Sequence, residues 1–125
     1  MIHPQFTPRE QALFNYLTNF YWNPDNKNEI DECISIIEKK SDVSLRNIEQ
    51  YITGKHCDLL IKLSYKAHIK NFRKPYFDPF RHIGKFTFNF DPTDSTKVVE
   101  TTIGQLNFFR WVLENNIIDL IKQNV

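Results

Sequence analysis

The stretch from Lys85 to Gln105 constrains the fold more tightly than any other. Lys85-Phe86-Thr87-Phe88-Asn89-Phe90 alternates strictly, placing three phenylalanines on one face of a strand. Asp91-Pro92-Thr93-Asp94-Ser95 is a turn cluster, and Lys97-Val98-Val99-Glu100-Thr101 reads as the returning strand. Thr102-Ile103-Gly104-Gln105 then has the form of a capping box, with Thr at N-cap and Gln at N3. A hairpin with one aromatic face, followed at once by a helix start, demands a helical layer to cover that face.

The rest of the chain supplies helices. Thr7-Pro8-Arg9-Glu10 is another capping box with proline at N1, and Leu13, Tyr16, Leu17 and Phe20 follow at helical spacing until Asn23-Pro24. The aromatic density of this helix reads as a thick core stripe, the alternative being a binding face. A second helix opens near Asn26 or Asn28 and carries Ile30, Cys33, Ile34 and Ile37 on one face. Glu29, Asp31 and Glu32 near its start and Lys39-Lys40 near its end suit the helix dipole, so the acids need no metal. Ser44 caps a third helix bearing Leu45, Ile48 and Ile52, with Gly54 placed as a left-handed terminator. The polar turn at Ser41-Asp42 makes a helix-turn-helix conceivable. The outward residues Arg46, Asn47, Glu49 and Gln50 are too mixed in charge to suit a DNA-reading helix.

Cys57-Asp58-Leu59-Leu60-Ile61-Lys62-Leu63 reads as a strand that pairs with the hairpin, and Ser64 as the cap of a short fourth helix burying Tyr65, Ile69 and Phe72. The helix after Thr102 turns Leu106, Phe109, Val112 and Leu113 inward, with Phe108 and Trp111 flanking. It breaks at Asn115-Asn116, and Ile117, Leu120 and Ile121 pack back. The expectation is an α+β fold in a single domain, residues 1–125. A helical N-terminal part and a C-terminal helix pack on a small antiparallel sheet of about three strands.

Charge is distributed unevenly. Residues 1–60 carry −3, residues 62–85 carry +6 and residues 86–125 carry −2, within a net charge of +1. The positive stretch holds Lys62, Lys66, Lys70, Arg73, Lys74, Arg81 and Lys85 against Asp78, interleaved with Tyr65, Phe72, Tyr76, Phe77 and Phe80. Lys66 and Lys70 are spaced i, i+4 and Arg73 lies one turn on, which makes a ridge. Cations set among flat rings suit a partner with phosphates and bases. Lys62, Lys66, Lys70, Arg73, Lys74, Arg81 and Lys85 are therefore the candidate phosphate contacts, and Tyr76 a candidate stacking residue. Asp78-Pro79 favours a turn, under which Phe77 and Phe80 either anchor the loop to the core or stack on bases.

Catalytic patterns do not compete with this surface. The sequence has no G-x-S-x-G, P-loop, HExxH or dinucleotide-binding glycine motif, and three glycines leave little for backbone phosphate cradles. His3, His56, His68 and His82 are dispersed, and Cys33 and Cys57 lack zinc spacing, so buried reduced thiols are expected. The reading is non-enzymatic, with no cofactor and no metal. No apolar run reaches the ~18 residues of a membrane span. The start MIHPQFTPRE lacks a signal-peptide h-region, so the expectation is an intracellular protein with no membrane partner.

Three segments carry a resemblance. They are Val43-Ser44-Leu45-Arg46-Asn47-Ile48-Glu49, then Ser64-Tyr65-Lys66-Ala67-His68 leading into Tyr76-Phe77-Asp78-Pro79-Phe80-Arg81, then Thr101 to Trp111. In this order, over roughly residues 41–121, the chain resembles a family of small uncharacterised proteins of nucleo-cytoplasmic large DNA viruses. The resemblance implies a viral protein acting in the host cytoplasm or nucleus, or packaged in the virion, and it supplies no catalytic or ligand residue. Two functions stay open. One is binding of DNA or RNA in genome handling or expression. The other is an interaction or virion module whose basic face meets an acidic viral or host protein, with Trp22 or Trp111 as anchor. The loop around Asp78-Pro79-Phe80-Arg81 is expected beside the start of the helix at Thr102, whose dipole adds to the basic face.

Overall fold

The computed structural model describes residues 5–123. Its centre is helix α5 (Ile103–Glu114), which buries Leu106, Phe108, Phe109, Trp111 and Val112. A helix apolar on nearly every side is a core helix, and the other elements wrap it. Phe108 and Trp111 are thus interior residues, deeper than the flanking positions their spacing suggests.

Helix α1 (Pro8–Tyr21) starts with the reciprocal cap its sequence announces. Thr7 Oγ1 accepts from the Glu10 amide at 3.2 Å, and Glu10 Oε1 accepts from the Thr7 amide at 2.9 Å. The helix packs along α5, and the buried Tyr21 hydroxyl donates to the Leu106 carbonyl at 2.7 Å. Strands β1 (Phe86–Asn89) and β2 (Val98–Thr101) pair antiparallel, with Phe86 opposite Thr101 and Phe88 opposite Val99. Phe86 and Phe88 meet Phe14 of α1 edge to face, and Phe88 meets Tyr21 in the same way. The phenylalanine alternation therefore finds its cover in α1. At the hairpin end the Asn89 side-chain amide donates to the carbonyls of Asp94 and Lys97, 2.9 Å each, which fixes the register.

Helices α2 (Lys27–Ile37), α3 (Leu45–Thr53) and α6 (Ile117–Gln123) complete the shell. In α2 the buried set is Ile30, Cys33, Ile34 and Ile36, while Ile37 is only half-buried. The helix ends at Ile37 because Lys39 turns left-handed (φ 62°), so Lys39 and Lys40 lie beyond its last turn. Ser44 caps α3 reciprocally with Asn47, at 3.1 and 2.9 Å. Gly54 ends α3 in extended backbone (φ −81°, ψ 171°) and not in the expected left-handed one. A Cβ there would stand 2.8 Å from the Gln50 carbonyl, so closeness explains the glycine. Asn116, at φ 54°, makes the left-handed joint between α5 and α6.

The main correction falls at residues 57–63. They form no strand, and the sheet has two strands in place of about three. Asp58 accepts from the Leu60 amide at 2.7 Å and starts helix α4 (Leu59–Phe72) well before Ser64. Ser64 is an interior residue of that helix, and its hydroxyl accepts from Trp111 Nε1 at 3.0 Å. An apolar run of this length suits a buried strand or a helix equally by periodicity, and the carboxylate cap decides the matter. The α+β class holds, with six α-helices and one antiparallel hairpin among the described residues.

Candidate nucleic-acid interface

The loop after α4 is built from its backbone outward. Arg73 takes a positive φ (67°) and ends the helix, and a 3-10 turn spans Lys74–Tyr76. Phe77, 1% exposed, enters the core against Phe72, Phe108 and Trp111. Asp78 Oδ1 then accepts from the Phe80 amide at 2.9 Å, closing the turn that the Asp-Pro pair forecasts.

Helix α5 fastens this loop at two points. Asn107 Nδ2 donates to the Tyr76 carbonyl at 2.8 Å, and Gln105 Nε2 donates to the Pro79 carbonyl at 3.2 Å. Gly104 lets the backbones meet, since a Cβ there would be 2.8 Å from the Pro75 carbonyl oxygen and 3.0 Å from that of Asp78. The loop does sit at the start of α5. Thr102 caps that helix by accepting from the Gln105 amide at 3.1 Å. The Gln105 side chain does not complete the box. Its Oε1 accepts from Thr101 Oγ1 at 2.7 Å while its amide holds the loop.

Two polar residues of α5 are interior. Arg110 is 4% exposed, and Asn107 is buried beside it. The guanidinium donates to Asn107 Oδ1 from Nε (3.0 Å) and Nη2 (2.9 Å), and from Nη1 to both Glu114 oxygens (3.1 Å each). Tyr16 and Phe72 lie near its faces at 5.7 and 6.0 Å. Arg110 is thus a structural cation that tethers Asn107 and, through it, the Tyr76 carbonyl. Trp111 is buried and cannot serve as an exposed anchor, whereas Trp22 is partly exposed with Nε1 donating to the Asn89 carbonyl at 2.9 Å.

A groove of about 550 Å³ opens between the α2–α3 connection and the loop from Pro79 to Lys85. Lys39, Arg46, Arg81, His82 and Lys85 line it, with Glu100 as the lone carboxylate among the described residues. Among the described residues, no carboxylate lies within 4 Å of Lys39, Arg46, Arg81 or Lys85. The first residues of α3 and the cap of α5 also face it, so two helix N-termini reinforce the positive potential. Phe80, 39% exposed, forms part of the wall.

Phe80 and Pro79 divide this groove from a smaller hollow of about 270 Å³ between α3, α4 and the loop. Lys74 reaches that hollow, together with Tyr65, Glu49 and Asp78. Burial, and then the carboxylates of Asp78 and Glu49, push the Tyr65 phenol above its ordinary range; those two carboxylates in the lining disfavour a phosphate there. Tyr76 is half-buried and lines a third hollow with Arg81 and Lys85.

The positive stretch is therefore split. Arg81 and Lys85 join Lys39 and Arg46, two groove cations not anticipated as contacts. Lys66 and Lys70 are exposed on the outer side of α4, Lys62 is half-buried on the same helix, and Arg73 is exposed at its end. Only position could have revealed the missing pair, since Lys39 follows a helix end and Arg46 sits beside the Ser44 cap. His82 lines the groove. His68 is half-buried against Phe77 and Trp111, with Nδ1 donating to the Ser64 carbonyl at 2.8 Å. His3 lies outside the described residues.

Cys33 and Cys57 are both free and buried. Burial pushes the Cys33 thiol well above its usual range, which makes it a core group and not a nucleophile. Among the described residues no three His, Cys, Asp or Glu side chains cluster as metal ligands, and no helix is long and apolar enough to cross a membrane.

Fold and groove together define a small α+β protein with a cationic cleft at the joint of two helix N-termini and an anchored loop. The chain matches the family of unknown function DUF7197 over residues 1–125 and belongs to it. An uncharacterized protein of Acanthamoeba polyphaga mimivirus is 28% identical to it over 135 residues, covering 94% of this chain and 51% of that protein. The chain thus spans about half the length of this relative, which sets it in a protein family of large DNA viruses. No solved structure matches the chain.

Proposed function

We propose that this is a non-enzymatic viral nucleic-acid-binding protein acting in genome handling or expression. One observation carries the reading: four cations without carboxylate partners, from three separate segments, converge on one groove with two helix N-termini. Phosphate oxygens are the ligands that such a surface satisfies best. Arg81, Lys85, Lys39 and Arg46 are the central contacts. Lys74 and Tyr76 flank them, and Lys62, Lys66, Lys70 and Arg73 extend the positive surface along α4. The test is binding of short random DNA and RNA at several salt concentrations. The expected result is a steep loss of affinity with salt. Salt-independent or absent binding at low salt removes the reading.

The exposed face of α4 favours a second reading, a protein-interaction or virion module. Leu59, Leu60 and Leu63 are 67%, 75% and 52% exposed, and Lys62, Lys66 and Lys70 continue the same helix without an acid between Leu59 and Phe72. A patch of that composition fits an acidic amphipathic helix, by apolar contact and charge together. A synthetic Glu/Leu amphipathic peptide should bind the wild type and lose affinity to a Leu60→Ser, Leu63→Ser variant. Equal binding by both proteins excludes α4 as the docking face.

A further inference from the structure

We infer that the groove takes single strands, with Phe80 as the platform on which a base stacks between phosphates held by the groove cations. The inference rests on the nucleic-acid reading above and adds the form of the ligand. Phe77 and Phe80 stand three residues apart in one turn, yet their environments are opposite. Phe77 fills the core, and Phe80 stays at the groove wall with 39% of its surface open. A single exposed phenylalanine needs no explanation by itself. Phe80 differs because the peptide group that leads into it is held at both its N–H and its C=O. Its amide is held by Asp78 Oδ1 at 2.9 Å, and the carbonyl of the buried Pro79 accepts from Gln105 at 3.2 Å. The ring is therefore displayed at a set place beside Arg81, Lys85, Lys39 and Arg46, so little ordering is left for binding to accomplish.

The dimensions favour a base over a duplex. A cleft of about 550 Å³ has the capacity of a small-ligand pocket, on the order of 300–1,000 Å³. A duplex keeps its bases paired and stacked inside, so only its phosphates could reach the cations. A single strand can splay a base onto an aromatic ring while its backbone follows the positive wall. Stacking of this kind is tolerant of sequence, because every base has a π-face.

The test uses the full chain and fluorescently labelled 12-mers, single- and double-stranded, with an abasic single strand as control. The wild type is expected to bind the single strand more tightly than the duplex and the abasic strand. Phe80→Ala is expected to weaken single-strand binding by about tenfold to a hundredfold while leaving the salt slope in place. Phe80→Trp should retain affinity and show quenched emission on binding. Arg81→Gln with Lys85→Gln should flatten the salt slope by about 1.4, two phosphate contacts on a single strand. If the wild type binds no nucleic acid, the functional reading itself fails. If it binds and Phe80→Ala does so equally well, or the abasic strand binds as tightly, stacking is overturned and the phosphate contacts remain.

Discussion

The Gln105 side chain donates to the carbonyl of Pro79 across 3.2 Å, joining the first turn of the central helix to the loop that displays Phe80 and Arg81. One glutamine thus links the best-buried element to the candidate site. Gln105→Leu removes that bond and the one from Thr101, at a cost of about 1–3 kcal/mol in chemical denaturation. The same variant is expected to lose more affinity for oligonucleotide than its modest destabilisation accounts for. Gly104→Ala should act more on the fold. Alanine in place of a helical glycine gains up to about 1 kcal/mol by propensity, but here the methyl meets backbone oxygens at 2.8 and 3.0 Å that cannot move aside alone. The expected sign is net destabilisation, and a stabilised Gly104→Ala protein would contradict the close approach.

Asn107 and Arg110 give the second prediction. Asn107→Leu strips the guanidinium of two bonds and leaves it buried with only Glu114, and it also frees the Tyr76 carbonyl. A buried charged group that loses a hydrogen-bond acceptor costs about 1.5–3 kcal/mol. For a chain of this size the melting temperature should fall by on the order of 10 °C. Arg110→Met together with Asn107→Leu should be milder than Asn107→Leu alone, because no buried guanidinium is left short of acceptors.

The hairpin turn has an acid-sensitive contact. Hydrogen bonds from the Thr93 hydroxyl and then its amide hold the Asp91 carboxyl below its ordinary value, and Thr96 does the same for Asp94. A depressed folded pKa contributes stability that is present above the unfolded value, about pH 4, and is lost as pH falls through the folded one. Loosening of residues 91–97 below about pH 4, seen as faster amide exchange there, is the expected behaviour. Thr93→Val with Thr96→Val should reduce that sensitivity, leaving the part due to the two backbone amides.

At the alkaline end Cys33 and Tyr21 act in the opposite sense. Burial raises both groups. The folded state therefore keeps protons that the unfolded state releases, and stability declines as pH rises past the ordinary thiol value of about 8.5. Cys33 should resist thiol reagents in the native protein and react only on unfolding. Cys57, at the entrance to α4, should be modified first, and rapid native labelling of Cys33 would contradict its placement.

How much of this was legible depended on whether a signal was local. The caps at Thr7, Ser44 and Thr102 and the alternation at Phe86–Phe90 each determine their own backbone, and the structure follows them. Residues 57–63 misled because leucines that periodicity assigns to a buried strand stand exposed on a helix, and the Asp58 cap was read as part of the run. The burial of Arg110 is not legible in the sequence, because it depends on partners, Asn107 and Glu114, whose geometry appears only once the helix is wrapped. The groove was half legible. Arg81 and Lys85 belong to a conspicuous charge run, but Lys39 and Arg46 reach the same cleft only by tertiary packing of α2 and α3 against the loop.

The most direct test is a salt titration of affinity for a short single-stranded oligonucleotide. It compares the wild type with Lys39→Gln, Arg46→Gln, Arg81→Gln, Lys85→Gln combined in one protein. Four phosphate contacts contribute about −3 to the wild-type slope of log K against log salt, and that contribution is lost in the combined variant. A wild-type slope near zero, or one that the four replacements leave unchanged, would contradict the groove as the phosphate-binding surface.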